Sequence, residues 1–394
     1  MGSFLAMTDP VGPFSDWQYG IYLRGMGMGE RPELPVAWDA LERAAYDALD
    51  EAPRGYVWGG AGTGDTMRAN LDALRAWRIV PRHLRAVEAR DLSAEVLGSR
   101  LPAPLALAPI GVQSIVHPEG ELASARAAAA VGVPYTASTA AAHTMEEIAS
   151  AGGERWYQLY WPKDEAICAS LVKRAEAAGY TAIVVTLDTF FLGWRPTDLA
   201  QGFLPFLRGE GIAQFLSDPV FRAQLARPPE EDLQAAVGHW VSIVNKVVQW
   251  EDLAWLRGIT ELPIVLKGVL HRDDARRAVA AGMDGVVVSN HGGRQVDGAV
   301  AALDALVDVA DEIGGDATVL FDSGIRCGAD VVKALCLGAD AVLLGRPFLW
   351  GLALAGADGV EHVLRMLLAE VDLTMALSGA ATVADLTPEL LRRA

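Results

Sequence analysis

Four stretches of the chain share one pattern: an alanine-rich amphipathic segment halts at a glycine, and a short unbroken apolar run follows. The clearest copies are 274–288 (DARRAVAAGMDGVVV) and 330–344 (DVVKALCLGADAVLL), with a third over 174–185 and a fainter one over 128–133. A glycine at the halt suits a left-handed helix C-cap. The apolar runs are too short for helices and do not alternate, as expected of parallel strands covered on both faces. Helix and buried strand in alternation predict βαβ units. Runs of this kind cover 104–110, 134–139, 156–161, 181–188, 263–268, 285–289, 318–322 and 341–345. Eight strands with intervening helices make a TIM (β/α)8 barrel, spanning 1–394 as one domain.

A doubly wound sheet is the alternative, but it carries its glycine-rich turn just after the first strand. Here Gly59-Gly60-Ala61-Gly62-Thr63-Gly64 precedes every strand and lacks the lysine of a phosphate loop, so it reads as a turn. The fourth and fifth runs are separated by 189–262, a long loop whose place at the strand C-terminal face predicts a lid. Before Pro104 the pattern predicts an N-terminal helical extension, with a helix over 36–49. That region is expected to cover the bottom of the barrel and to bring Tyr56 to the site.

Composition narrows the class. A net charge of −17 argues against nucleic acid or anionic membrane as partners. An anionic substrate then needs local arginines working against the overall field. The three cysteines, Cys168, Cys327 and Cys336, form no CxxC and suit a reducing cytosol. No HExxH or Cys/His cluster is present, so no protein-held metal is expected. Met1–Met7 lacks a basic n-region, and no apolar stretch is long enough to span a bilayer. A soluble cytoplasmic protein is expected.

In a TIM barrel, chemistry sits where the strands end. Those ends carry Pro109-Ile110-Gly111, Ser138, Gln158 with Tyr160, Thr186 with Asp188, Lys267, Ser289, Asp322, and Gly345-Arg346. Buried strands rarely hold so many polar groups without a ligand, although an internal polar network is the alternative. After the sixth run, Ser289-Asn290-His291-Gly292-Gly293-Arg294-Gln295 offers a base and a carboxylate fork three residues apart. Taken alone, it could equally be a solvated turn. The seventh and eighth runs end in Asp322-Ser323-Gly324-Ile325-Arg326 and Gly345-Arg346-Pro347, the recurrent phosphate position of this fold. Asp322 would not face a phosphate, and a ribityl hydroxyl is its better partner. Phosphate, polyol and polar barrel mouth together point to flavin mononucleotide, with Lys267 at the flavin's pyrimidine edge.

With these residues in hand, the chain resembles the FMN-dependent α-hydroxy-acid oxidase and dehydrogenase family from about Leu34 to near the C-terminus. APIGVQSIVHPEGE, YQLYWPKD, TLDTFFLGWR, LKGVL, SNHGGRQ and DSGIRCGADVVKALCLGADAVLLGRP fit in order. Length, the long fourth loop and GWRPTDL look most like the lactate 2-monooxygenase branch. The resemblance implies that His291 is the active-site base and that Asp188 holds it. Arg294 and Tyr56 would bind the substrate carboxylate, with Arg195 nearby. Tyr160 would meet the substrate hydroxyl, and Lys267 would steady the reduced flavin. Pro109, Ile110, Gly111, Ser138, Gln158, Thr186, Ser289, Asp322, Ser323, Gly324, Arg326, Gly345 and Arg346 would hold FMN. A small 2-hydroxy acid and O2 are the implied partners, and a homotetramer or homo-octamer the implied assembly.

Some positions depart from the family. Many relatives have a bulky aromatic where this chain has Ala140, and often a small residue where it has Trp58. Phe191 and Trp161 are expected to add aromatic lining. Gly111 matches the monooxygenase, whereas most family oxidases have alanine there. A phosphate-handling isomerase barrel would share the phosphate site but has no need of Lys267 or the His291/Arg294 pair. A flavin-binding protein without turnover would have lost the base or the clamp, and both are present.

Overall fold

A computed structural model describes residues 13–394. The Met1–Met7 segment, on which the absence of a leader was argued, lies outside them. The barrel strands are β1 (Leu105–Leu107), β2 (Tyr135–Ser138), β3 (Arg155–Leu159), β4 (Ile183–Thr186), β5 (Ile264–Val269), β6 (Gly285–Val288), β7 (Thr318–Phe321) and β8 (Ala341–Leu344). Each pairs in parallel with its sequence neighbour, and β8 closes on β1 through Val342 opposite Leu105. Most strands stop one or more residues short of the apolar runs, because the chain leaves the ladder where its polar residues begin. The halting glycines behave as predicted. Gly132, Gly179, Gly282 and Gly338 all have φ between +76° and +102°, a region that costs glycine nothing.

Alternate residues of the strands point inward. Ala106, Trp156, Val184, Val265, Val287, Leu320 and Leu343 fill the barrel, while their neighbours pack outward against the helices. Burial on both faces is why the strands show no alternation in sequence. An antiparallel hairpin, Ala94–Val96 with Ser99–Leu101, sends Val96 and Leu101 into the inward cluster. It closes the N-terminal end of the barrel.

The predicted N-terminal helix is present as Trp38–Ala48, and the cover that the N-terminal region gives the bottom comes from the hairpin and not from this helix. Its short buried stripe, Leu41 and Ala45, suits the flank of another helix, and it lies against Arg346–Ser378. That long helix kinks where Ala355 and Gly356 leave helical geometry. A ribbon of Trp77–Ile79 with Leu391–Arg393 ties the N-terminal extension to the C-terminal segment.

Residues 189–262 are not a plain loop. They hold short helices at Pro196–Gln201, Pro219–Ala223, Leu233–Ile243 and Asp252–Ile259, with a 3-10 turn at Pro205–Arg208. Prolines open three of these elements, and the side chains of Asp218 and Asp232 cap two helices. Among the described residues, no helix is long and apolar enough to cross a membrane.

The hairpin plug leads to a direct expectation. Leu101 is 2% exposed, so Leu101→Ala should remove about 2–5 kcal/mol of stability by opening a cavity beneath the barrel. Urea denaturation measures it, and a loss below about 1 kcal/mol would show that the hairpin does not seal the core.

Candidate active site

A cavity of about 340 Å³ opens at the C-terminal mouth of the barrel. Its walls come from the loop after β1 (Ala108–Gly111), from Tyr56, Tyr160, Lys267, His291 and Arg294, and from the loops after β7 and β8. The 189–262 segment supplies a cover of apolar side chains: Leu204, Phe206, Leu207, Trp240, Val241 and Val244.

The loop after β6 is held in an unusual shape. His291 has φ +58°, a left-handed conformation in which histidine is less rare than most residues. Its N–H donates to Ser289 Oγ at 3.0 Å, and Gly293 N–H donates to Asn290 Oδ1 at 3.1 Å. Asn290 also exchanges amide bonds with Asn70 at 2.8 and 2.7 Å. The result aims the ring at the end of β4, with Nδ1 2.9 Å from Asp188 Oδ1. Burial lowers the His291 pKa below 6.5 despite the pull of Asp188. Burial alone would raise the Asp188 pKa, but His291 and Lys267 outweigh it and hold the carboxyl down at about 2. The pair is therefore a neutral imidazole donating from Nδ1 to a carboxylate, which leaves Nε2 as the proton acceptor. Thr189 Oγ1 lies 3.0 Å from Asp188 Oδ1, steadying it further. Beneath the acid, Gly268 has φ +102°, and a Cβ there would come within 2.9 Å of Asp188 Cβ.

Two arginines stand beside this pair. Arg294 Nη1 donates to the carbonyls of Tyr56 and Gly59, both at 2.7 Å. Its guanidinium lies 5.0 Å from the centre of the Tyr56 ring. Arg195 donates from Nε to the Arg294 carbonyl at 3.0 Å and from Nη2 to Gln295 Oε1 at 2.7 Å. Burial, reinforced by Arg195, lowers the Arg294 pKa to about 10, so it remains cationic at neutral pH. Burial raises the Tyr160 phenol well above its ordinary range, leaving a neutral O–H donor.

At the far side, Lys267 is 4% exposed. Its Nζ lies 2.8 Å from Ser289 Oγ and 3.1 Å from Asp322 Oδ2. Burial would lower its pKa, but Asp322 and Asp188 outweigh that and raise it. Asp322 Oδ1 accepts from Ser289 Oγ at 2.6 Å and from Ser323 Oγ at 2.7 Å. Beyond it, Ser323 and Gly324 have φ +85° and +101°. Arg326 and Gly345-Arg346 complete this end.

The structure brings Tyr56, Pro109, Ile110, Gly111, Tyr160, Arg195, Lys267, His291, Arg294, Asp322, Ser323, Gly324, Arg326, Gly345 and Arg346 onto one cavity. Asp188, Ser138, Gln158, Thr186 and Ser289 are not in its lining and stand behind it. Ser138 Oγ donates to Gln158 Oε1 at 2.8 Å, while Gln158 Nε2 is buried without a partner. Two expectations fail. Phe191 is 71% exposed, because its loop turns it to the outer surface against Phe190. Trp161 is buried beside Trp255 and Lys246, away from the cavity. Trp58 also misses the lining; it stacks 6.5 Å from Trp350 and donates to Glu42. Ala140 does line the cavity. Sequence reasoning did not find Thr189, Gln295 or the Asn70–Asn290 pair. Gln295 sits inside the SNHGGRQ motif, whereas Asn70, far away in sequence, gives no signal.

These residues fit FMN. Among the described residues Gln158 Nε2 is an orphaned buried donor next to Ser138, suited to a ring carbonyl, and buried Lys267 would supply a cation for the same ring. Among the described residues Arg326 donates only to the Ile325 carbonyl, which would leave its other N–H groups for a phosphate. Space is open beside Gly345, where a Cβ would meet nothing within 4 Å.

The family model for FMN-dependent dehydrogenases matches residues 45–393. The chain is 46% identical over 386 residues to the FMN-dependent alpha-hydroxy acid dehydrogenase qulF of Penicillium citrinum, covering 96% of each chain. It is 41% identical to an L-lactate oxidase of Lysinibacillus sphaericus, covering 90% of this chain and 92% of that one. A crystal structure of mandelate oxidase superposes with a TM-score of 0.81 at 42% identity, over 91% of this chain and 98% of that one. The chain belongs to the FMN-dependent dehydrogenase family, and FMN is its cofactor.

Proposed function

We propose that this enzyme oxidises an L-2-hydroxy acid and, with lactate, carries the product on to acetate, carbon dioxide and water. The carrying observation is His291, backed by Asp188, set beside the Arg294/Arg195 cations in one cavity under the 189–262 segment. Bound FMN supplies a two-electron acceptor. The chain's own residues do the rest. Arg294, Arg195 and Tyr56 hold the carboxylate, and Arg294 has the planar fork that a carboxylate needs. Tyr160 donates to the substrate hydroxyl. His291 Nε2 takes the hydroxyl proton, and anionic Asp188 stabilises the imidazolium that forms. Holding the substrate carbon in one orientation is catalysis by positioning.

The balance is simple. The hydroxy acid loses two electrons and two protons to become a keto acid, and dioxygen gains them to become peroxide. Peroxide attacking a keto acid that has not left gives the shorter acid, carbon dioxide and water. The apolar cover over the cavity supports retention of the keto acid, with 189–262 acting as a lid. A second reading, an oxidase acting on a larger apolar or aromatic 2-hydroxy acid, is supported by Ala140 and by the similarity to mandelate oxidase. A homo-oligomer in solution accompanies either reading.

Product analysis decides between them. Wild type under air should turn lactate into acetate without free peroxide; stoichiometric pyruvate and hydrogen peroxide would overturn the monooxygenase outcome. A Cβ at Gly111 would lie 2.8 Å from both the Cβ and the carbonyl oxygen of Ala140. Gly111→Ala must therefore push these two loops apart, and its output should move towards keto acid and peroxide.

His291→Gln should abolish FMN reduction by substrate, by at least roughly a hundredfold in stopped-flow, while FMN stays bound. The pH dependence follows from the neutral state of the base. A proton on Nε2 blocks it, and its pKa lies below 6.5. The reduction rate should hold at pH 7 and fall on acidification, with a midpoint below 6.5. A midpoint above that value would assign the base elsewhere.

A further inference from the structure

A guanidinium has five N–H donors, and the two arginines at the phosphate end use them very differently. Arg326 donates to its neighbour's carbonyl, Ile325 O, at 2.9 Å, and its guanidinium lies 5.6 Å from the centre of the Trp350 ring. Among the described residues, its other donors face no protein acceptor. Arg346 donates from Nε to Val57 O at 2.8 Å, from Nη1 to Gly292 O at 3.1 Å, and from Nη2 to Gly59 O at 3.1 Å. Nη2 also reaches Met67 Sδ at 3.4 Å. One donor remains for an anion.

The carbonyls that Arg346 takes are not scattered. Val57 and Gly59 belong to the last turn and C-cap of the helix Glu51–Trp58, where backbone oxygens lack helical partners and cations are favoured. The same turn carries Tyr56. Gly59 O accepts a second guanidinium as well, Arg294 Nη1 at 2.7 Å. One backbone oxygen therefore joins the arginine after β8 to the arginine after β6, and Gly292 O extends the same tie to the His291 loop. Burial, together with the nearby Arg326 and Arg294, lowers the Arg346 pKa, as expected of a cation held by dipoles and not by an acid.

We propose that Arg346 is a positioning residue for substrate: it fixes the 56–59 backbone, and through it Tyr56 and Arg294, while Arg326 is the main phosphate fork. This rests on reading Arg294 and Tyr56 as the carboxylate clamp. Losing Arg346 would let the end of the helix drift, and a displacement of about 1 Å at such a clamp costs up to roughly a hundredfold.

Two dissociation constants test it. FMN binding to apoprotein is read by quenching of FMN fluorescence. Oxalate binding to FMN-saturated protein, as a carboxylate that is not oxidised, is read by the change in flavin absorbance. Arg346→Lys, with one ammonium in place of a fork, should weaken oxalate by roughly tenfold to a hundredfold and FMN by far less. Arg326→Lys should do the reverse. Arg346→Gln, shorter, neutral and with two amide donors, serves as the second variant and should weaken oxalate at least as much as Arg346→Lys. The inference is overturned if Arg346→Lys weakens FMN more than oxalate, or if neither variant folds, which would make the residue purely structural. Arg294→Lys separates the two levels. If it leaves oxalate binding intact, the clamp itself is wrong; if it weakens oxalate and Arg346→Lys does not, only the positioning role falls.

Discussion

Concentrating positive charge in a half-buried mouth is the constraint that the site is built around. Arg195, Lys267, Arg294, Arg326 and Arg346 all face one cavity in a chain of net charge −17. Burial penalises each of them. Carboxylates would offset that penalty but would also cancel the field that attracts an anionic ligand. The fold mostly uses neutral dipoles instead. The carbonyls of Tyr56, Val57, Gly59, Gly292 and Arg294 and the Gln295 side chain take the guanidinium donors. The close acid is reserved for Lys267, where Asp322 sits 3.1 Å away, while Asp198 stands 3.9 Å from Arg294. Bringing a helix end and several loop carbonyls to one point requires strands that all deliver their ends to one rim. A closed parallel barrel does that.

What could be read from sequence follows from the same logic. The barrel was legible because burying a strand on both faces forces unbroken apolar runs, and the glycine halts mark where each helix turns back. The site was legible because polar residues placed just past those runs have nowhere to point but the mouth. Long-range pairs were not legible. Nothing local announces that Asn70 would pair with Asn290, or that Gly268 would leave room for Asp188. The orientations of Phe191 and Trp161 depend on how the 189–262 segment packs, and an aromatic beside a motif carries no sign of which way it faces. Arg346 lines the cavity as its place after the eighth run suggests, but the division of its donors depends on a helix end almost three hundred residues earlier.

A buried acid explains how the wall opposite the base is kept in place. Glu121 is 0% exposed, and its Oε1 accepts the amides of Gln113 at 2.9 Å and Ala142 at 3.2 Å. Its Oε2 lies 2.8 Å from His143 Nδ1. The loops that carry Gly111 and Ala140 are thus fastened to one carboxylate, and Val112 N–H to Ala140 O at 2.8 Å joins them directly. The 189–262 segment hangs from the same loops, through Ala213 N–H to Ala141 O at 3.1 Å and Gln214 Nε2 to His143 O at 2.9 Å. The tight clearance at Gly111 therefore belongs to a clamped pair of loops and not to a free turn.

The hairpin that plugs the base of the barrel also shapes the order of events at its other end. With Val96 and Leu101 filling the floor, the described residues leave the mouth as the way in. A vessel with one opening fills and empties like a stack: what sits deepest enters first and leaves last. Under the proposed function the ring sits by Lys267 and Gln158, 4% and 1% exposed, and the carboxylate by Arg294, whose side chain is 13% exposed. On that reading the cofactor loads before the substrate. Each turnover then empties only the outer part of the vessel, and the cofactor stays with the protein while acids come and go above it.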